Sequence, residues 1–169
     1  MGVFRSVASI LLCVCLTSTP FAADTWVVRE DGVGPVKIGM TEGQLSAALH
    51  QKLVEDDDSG SDNCFYVHTP AREYVRFMLI DSRLARIDVQ KPGVFTASGL
   101  QVGDSEEQVR KIYGPRMKTS GHQYIDTGHY LTVRGRDRQY GVRFETDKGK
   151  IIEYYAGTYE AIQYVEGCL

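Results

Sequence analysis

The chain has 169 residues, 43% of them hydrophobic, and a formal net charge of -3. That length and apolar share suit one ordinary domain with its own core. The mild acidity excludes a general nucleic-acid binder, which needs a net basic surface to neutralise phosphates.

Residues 1–23 carry one early basic residue, Arg5, an apolar run from Val7 to Leu16, and small residues at Ala22 and Ala23. They read as a cleaved secretory signal. The run is too short to cross a bilayer comfortably, and no second stretch approaches that length, so no transmembrane span is expected. Neither Cys13 nor Cys15 follows the small residue of a bacterial lipoprotein signal. The expected address is therefore the periplasm or the medium. About 146 residues remain, with a charge near -4.

In the remainder, Trp26-Val27-Val28 reads as an extended lead-in, and Gly32-Val33-Gly34-Pro35 as a turn before the strand-like triplet Val36–Ile38. Thr41 and Gln44 fit a capping box opening a helix over Glu42–Leu53, with Leu45, Ala48, Leu49 and Leu53 on one stripe. His50 falls on its polar side. Residues 55–63 form a carboxylate-rich loop. An EF-hand starting at Glu55 would place Gly60 correctly but put Tyr66 where Glu is required, so no calcium site is expected.

Three strands follow, Cys64–His68, Tyr74–Ile80 and Leu84–Gln90, the last two joined by a hairpin at Asp81-Ser82-Arg83. Alternation points Val75, Phe77, Leu79, Ala85, Ile87 and Val89 to the core. Tyr74, Arg76, Met78, Arg86 and Asp88 point to a face expected to lie open to solvent. After the Pro92-Gly93 link, Ser105 and Gln108 repeat the capping box before a helix over Glu106–Tyr113. Val109, Ile112 and Tyr113 face inward there, and Gly114-Pro115 ends it. Strands are then expected at His122–Ile125, Tyr130–Arg134, Tyr140–Thr146 and Lys150–Ala156, before a tail over Tyr159–Leu169.

The two capped phrases lie 64 residues apart, and Val75-Arg76-Phe77 and Leu84 match Val142-Arg143-Phe144 and Ile151 at a spacing of 67. Two matches in the same order point to internal duplication. The expected fold is α+β: two tandem repeats of strand and helix followed by an antiparallel β-meander, over 24–97 and 98–169, with the helices packed on one sheet face. Cys64 and Cys168, an even pair in an exported chain, read as one disulfide, with two buried thiols as the alternative. Such a bridge would tie the tail back to the first repeat and contribute up to ~4.7 kcal/mol in the chain-entropy model.

The phrase Ile38-Gly39-Met40-Thr41, its short helix, the meander and the repetition resemble the tandem-repeat fold of the β-lactamase inhibitory proteins. They are also similar to the domain of the small outer-membrane lipoproteins that assemble β-barrels. The likeness spans nearly all of the mature chain as architecture. It implies protein binding through a concave sheet. The second phrase has Asp104 in place of Met, no disulfide lies within a repeat, and the lipoprotein cleavage motif is missing. Inhibition of a β-lactamase is not carried over.

A search for chemistry finds no nucleophile elbow, no zinc-protease helix motif and no phosphate-cradling glycine loop. His122, Asp126 and His129 cluster in sequence, but flanking glycines mark turns and no fourth ligand is implied, so neither metal nor cofactor is expected. A small hydrolase using His122 or His129 is the least favoured reading. The favoured docking residues are Tyr130, Arg134, Arg136, Arg138, Arg143 and Tyr155, because aromatic and Arg side chains combine large contact area with directional donors. The same residues would equally cover an exposed sheet, and the Arg series would also suit an anionic glycan or lipid head group. The expectation is a non-enzymatic module that binds a protein partner in the periplasm or envelope, an inhibitor or immunity-type protein. A structural or assembly role in the envelope is the alternative.

Overall fold

The computed structural model describes residues 26–57, 61 and 63–168. The leader read at 1–23 lies outside them, as does part of the acidic loop. Strands β1 (Val27–Arg29), β2 (Gly32–Val33) and β3 (Val36–Lys37) lead into helix α1 (Glu42–Leu49). Then come β4 (Val54–Glu55), β5 (Cys64–Thr69), β6 (Arg72–Ile80), β7 (Arg83–Val89) and β8 (Phe95–Thr96). Helix α2 (Glu106–Tyr113) precedes β9 (Met117–Gly121), β10 (His129–Arg134), β11 (Tyr140–Asp147) and β12 (Lys150–Thr158).

Eight strands form one antiparallel sheet in the order β4-β5-β6-β7-β12-β11-β10-β9. Two meanders thus meet at the β7–β12 seam, where Ile87 lies opposite Ala156 and Asp88 opposite Tyr155. A second, four-stranded sheet runs β3-β2-β1-β8, with β1 and β8 parallel.

The α+β class expected from the sequence does not form. Among the described residues strand occupies 45% and helix 16%, so they are predominantly β, with two short α-helices rather than a helical layer in each half. Each helix has only eight residues. The first stops at Leu49, short of the expected Leu53, because His50 adopts a left-handed conformation with φ 53°. The space opposite the large sheet is shared with the small sheet, whose strands of two or three residues are too short to show a period.

One face of the large sheet carries the core. Val75, Phe77, Ile87, Val89, Leu131, Val133, Phe144 and Tyr154 meet Val28, Val33, Val36, Leu45, Leu100 and Val109 from the small sheet, helices and linkers. Each such side chain contributes about 1.5–3 kcal/mol by leaving water. Leu45 and Val109 anchor the helices, whereas Ile112, expected to face inward, is 44% exposed.

The two capped phrases behave alike. Thr41 Oγ1 accepts from the Gln44 amide at 3.4 Å while the Thr41 amide donates to Gln44 Oε1 at 3.0 Å. Ser105 and Gln108 do the same at 3.2 and 2.8 Å. Gly39 and Gly103, with φ of 91° and 95°, supply the left-handed turn before each cap. The Gly39 amide donates to the Leu84 carbonyl at 2.7 Å, and the Gly103 amide to the Ile151 carbonyl at 2.8 Å. Each turn is thereby clamped at the start of a central strand.

Cys64 and Cys168 form a disulfide, with Cα atoms 5.2 Å apart. It pins the end of the tail against the polar face of the large sheet, the face expected from the sequence to lie open. The expected strand at His122–Ile125 is replaced by β9 at Met117–Gly121, an edge strand whose exposed polar side chains show no apolar alternation.

Candidate binding surfaces

Alternation places Arg86 and Asp88 two residues apart on the polar side of β7. They form a fork-to-fork pair, Arg86 Nε to Asp88 Oδ1 and Nη2 to Oδ2, both at 2.7 Å, with exposures of 3% and 2%. The Tyr66 hydroxyl donates to Asp88 Oδ2 at 2.9 Å and accepts from Arg86 Nη2 at 2.5 Å. Burial first, and the Asp88 charge second, push the Tyr66 phenol well above its usual range. Arg86 Nη1 donates to the carbonyls of Ala161 and Tyr164 at 3.2 and 2.7 Å, so the buried cation fastens the tail. Buried charges persist only when paired and hydrogen-bonded, and these partners meet that condition.

The network continues across the seam. The Arg86 guanidinium lies 4.2 Å from the centre of the Tyr155 ring, and the Tyr155 hydroxyl donates to Glu145 Oε1 at 2.9 Å. His122 Nε2 sits 2.9 Å from Glu145 Oε2, its ring stacked on Tyr130. The Arg143 guanidinium lies 5.0 Å from the centre of the Tyr130 ring, donates to Thr132 Oγ1 at 2.8 Å and reaches the side chain of Gln163 in the tail. Glu153 stands directly opposite Glu145 in the β11–β12 register. Burial, then the charges of Asp88 and Glu145, push its carboxyl up to about 8. A cavity of about 270 Å³ remains between these carboxylates and the tail.

Of the six docking residues read from the sequence, Tyr130, Arg143 and Tyr155 belong to this covered network, with exposures of 4%, 8% and 1%. They hold the tail. Arg134, Arg136 and Arg138 stay together on the surface at the β10–β11 hairpin. There they share a cleft of about 380 Å³ with Arg116, Lys118, Thr132 and Tyr159. Local bonds shape the hairpin turn. Asp137 Oδ1 accepts from the Gln139 and Tyr140 amides at 3.0 and 3.4 Å, and Arg138 takes the left-handed conformation at φ 65°. Arg134 Nε donates to the Arg138 carbonyl at 2.8 Å while its guanidinium stacks 4.1 Å from the centre of the Tyr159 ring. Among the described residues no carboxylate comes within ion-pair distance of any of the five cations. Glu30 feels the charges of Arg116 and Arg136, which lower its carboxyl, but burial first and the Asp137 charge second outweigh them and raise it above its usual range.

Sequence reading missed Arg116, Lys118 and Tyr159 as members of the cleft. Lys118 becomes a neighbour only through the β9–β10 register, where it faces Thr132. His122 and His129 do not converge. His129 Nδ1 lies 2.8 Å from Glu106 Oε1, away from the network that holds His122. Among the described residues no group of three or more His, Cys, Asp or Glu is placed to hold a metal ion. No described helix is long and apolar enough to cross a membrane.

No family model and no curated protein matches the chain. Among solved structures, the crystal structure of the uncharacterized protein yfeY from Escherichia coli is similar, with a TM-score of 0.53 and 12% identity. The match covers 78% of this chain and 99% of that one, a likeness of fold alone.

Proposed function

We propose that the chain is an exported, non-enzymatic binding module that docks an acidic protein partner in the cleft at the β10–β11 hairpin. An inhibitor or immunity-type role is the form we favour. The observation that carries the reading is the convergence of Arg116, Lys118, Arg134, Arg136 and Arg138 on one cleft with no carboxylate in ion-pair distance among the described residues. A protein with net charge -3 that gathers unpaired cations at one place keeps there a local field opposite to its overall sign. Arg forks suit carboxylates, and the Tyr159 ring adds a flat apolar floor. The polar sheet face offers less to a partner, because the tail covers it and its donors and acceptors are used internally.

The test compares the oxidised mature protein with a triple Arg134→Glu, Arg136→Glu, Arg138→Glu variant as baits against envelope extract, at low and moderate salt. The expected result is an acidic protein retained by the first, weakened by salt and lost at least tenfold by the second. A partner retained equally by both baits overturns the reading.

A further inference from the structure

The cleft borders an open sheet edge. Strand β9 ends the eight-stranded sheet, and among the described residues only β10 pairs with it. No backbone hydrogen bond from another described element reaches residues 118–121. Lys118, Thr119, Ser120 and Gly121 are all exposed. The other described edges, β4, β3 and β8, have two residues each and offer no comparable template. Five residues of β9 span roughly 17 Å, enough to register one added strand.

Register fixes what each side of such a strand would meet. Lys118 pairs with Thr132, and Thr132 pairs with Arg143, so Lys118 and Ser120 share the polar face with the cleft cations. Met117 and Thr119 pair with Val133 and Leu131 on the core side, where Met117 packs against the core and Thr119 Oγ1 accepts from Arg110 of α2 at 3.3 Å. An incoming strand with carboxylates at alternate positions would set one beside Lys118, on the face that Lys118 shares with the cleft cations, and its intervening small apolar residues would extend the core side. A second copy of this chain fits poorly, because Met-Lys-Thr-Ser-Gly carries no carboxylate to answer the cations that each copy would bring to the seam.

We propose that the partner segment is extended, alternating acidic and apolar, and adds to β9 as a ninth strand. This rests on the docking reading above and specifies its mode: main-chain bonds to the edge supply affinity, and the flanking cations select charge.

The probe is a capped hexapeptide of alternating Glu and Val, compared with the same peptide N-methylated at alternate amides and with an alternating Lys-Val peptide. Binding and amide hydrogen exchange are measured on the oxidised protein. The Glu-Val peptide is expected to bind, to slow exchange at alternate amides within residues 118–121 at least tenfold, and to lose at least tenfold in affinity on N-methylation. The Lys-Val peptide is expected not to bind, and a Lys118→Glu variant to shift preference toward it. Equal binding of the N-methylated peptide without edge protection overturns strand addition while leaving a charged cleft. Absence of Glu-Val binding overturns strand addition as well, and the triple Arg variant then decides the docking reading separately. Edge protection that appears without peptide and grows with protein concentration overturns it in favour of self-pairing.

Discussion

Replacing Glu153 with Gln isolates the electrostatic tension inside the covered network. Glu153 lies opposite Glu145, near Asp88, and burial with these two charges raises its carboxyl from 4.5 to about 8. A group whose folded value is raised supports the fold fully below its unfolded value, and that support is lost as pH climbs to the folded value. Between about 4.5 and 8 the folded state therefore keeps a proton that the unfolded chain releases, and stability falls with pH by at most ~1.4 kcal/mol per unit. Integrated over that window the loss has an upper bound near ~5 kcal/mol, and relaxation of the tail would bring it toward ~2–3 kcal/mol. Arg86, which favours the charged form, is already engaged by Asp88, and the Gln90 amide beside Glu153 compensates only in part. Urea unfolding of the oxidised protein and of Glu153→Gln at pH 5, 7 and 9 reads the effect. The two should be nearly equal at pH 5. At pH 9 the variant should be more stable by a few kcal/mol, with a flatter profile. A variant that follows the wild-type slope, or is less stable at pH 9, refutes the account.

Three further outcomes test the covered network and its surroundings. Arg86→Met leaves Asp88 buried without its partner and releases the Ala161 and Tyr164 carbonyls, so it should cost about 3–5 kcal/mol in urea unfolding; Arg134→Met, on the surface, should change stability by less than ~0.5 kcal/mol. Replacing Cys64 and Cys168 by Ser opens a loop with a sequence separation of 104 and should lower stability by about 2–5 kcal/mol, with proteolytic cleavage moving into the last residues of the tail.

What the sequence made legible was what repeats or alternates over several residues. The capping boxes at Thr41 and Ser105 appear because their signal is local, and the main strands appear because Val75, Phe77, Ile87 and Val89 recur at period two. The fold class was misjudged because two helix signatures are conspicuous in sequence and yet yield only two turns each. The strands of the small sheet have no period to show, and β9, an edge strand, exposes its polar side chains. At the candidate site, Arg134, Arg136 and Arg138 were visible as a local series. Their separation from Tyr130, Arg143 and Tyr155 depends on where the tail crosses, which is a long-range fact that no local pattern encodes.

The tail joins the two surfaces. Its first residue, Tyr159, donates its amide to the Gln139 carbonyl at 2.7 Å and places its ring beneath Arg134, so it belongs to the cleft. The short helical turn Ala161–Gln163 is gripped by Arg86 and Arg143, and the disulfide acts only at Cys168. Those attachments are arranged in series along the chain, and the ones nearest the cleft do not depend on the bridge. Opening the disulfide therefore loosens the end of the tail over the Glu145–Glu153 cavity before it reaches Tyr159. The buried guanidinium of Arg86 is the member whose loss would propagate furthest, because it holds β7 and two carbonyls of the tail at once. An ion network of this kind adds little net stability over an apolar equivalent, but it accepts one arrangement of the tail and penalises others. The covered face thus acts as the fixture that keeps Tyr159 under the hairpin, and the cleft stays exposed beside it, the surface on which the proposed docking depends.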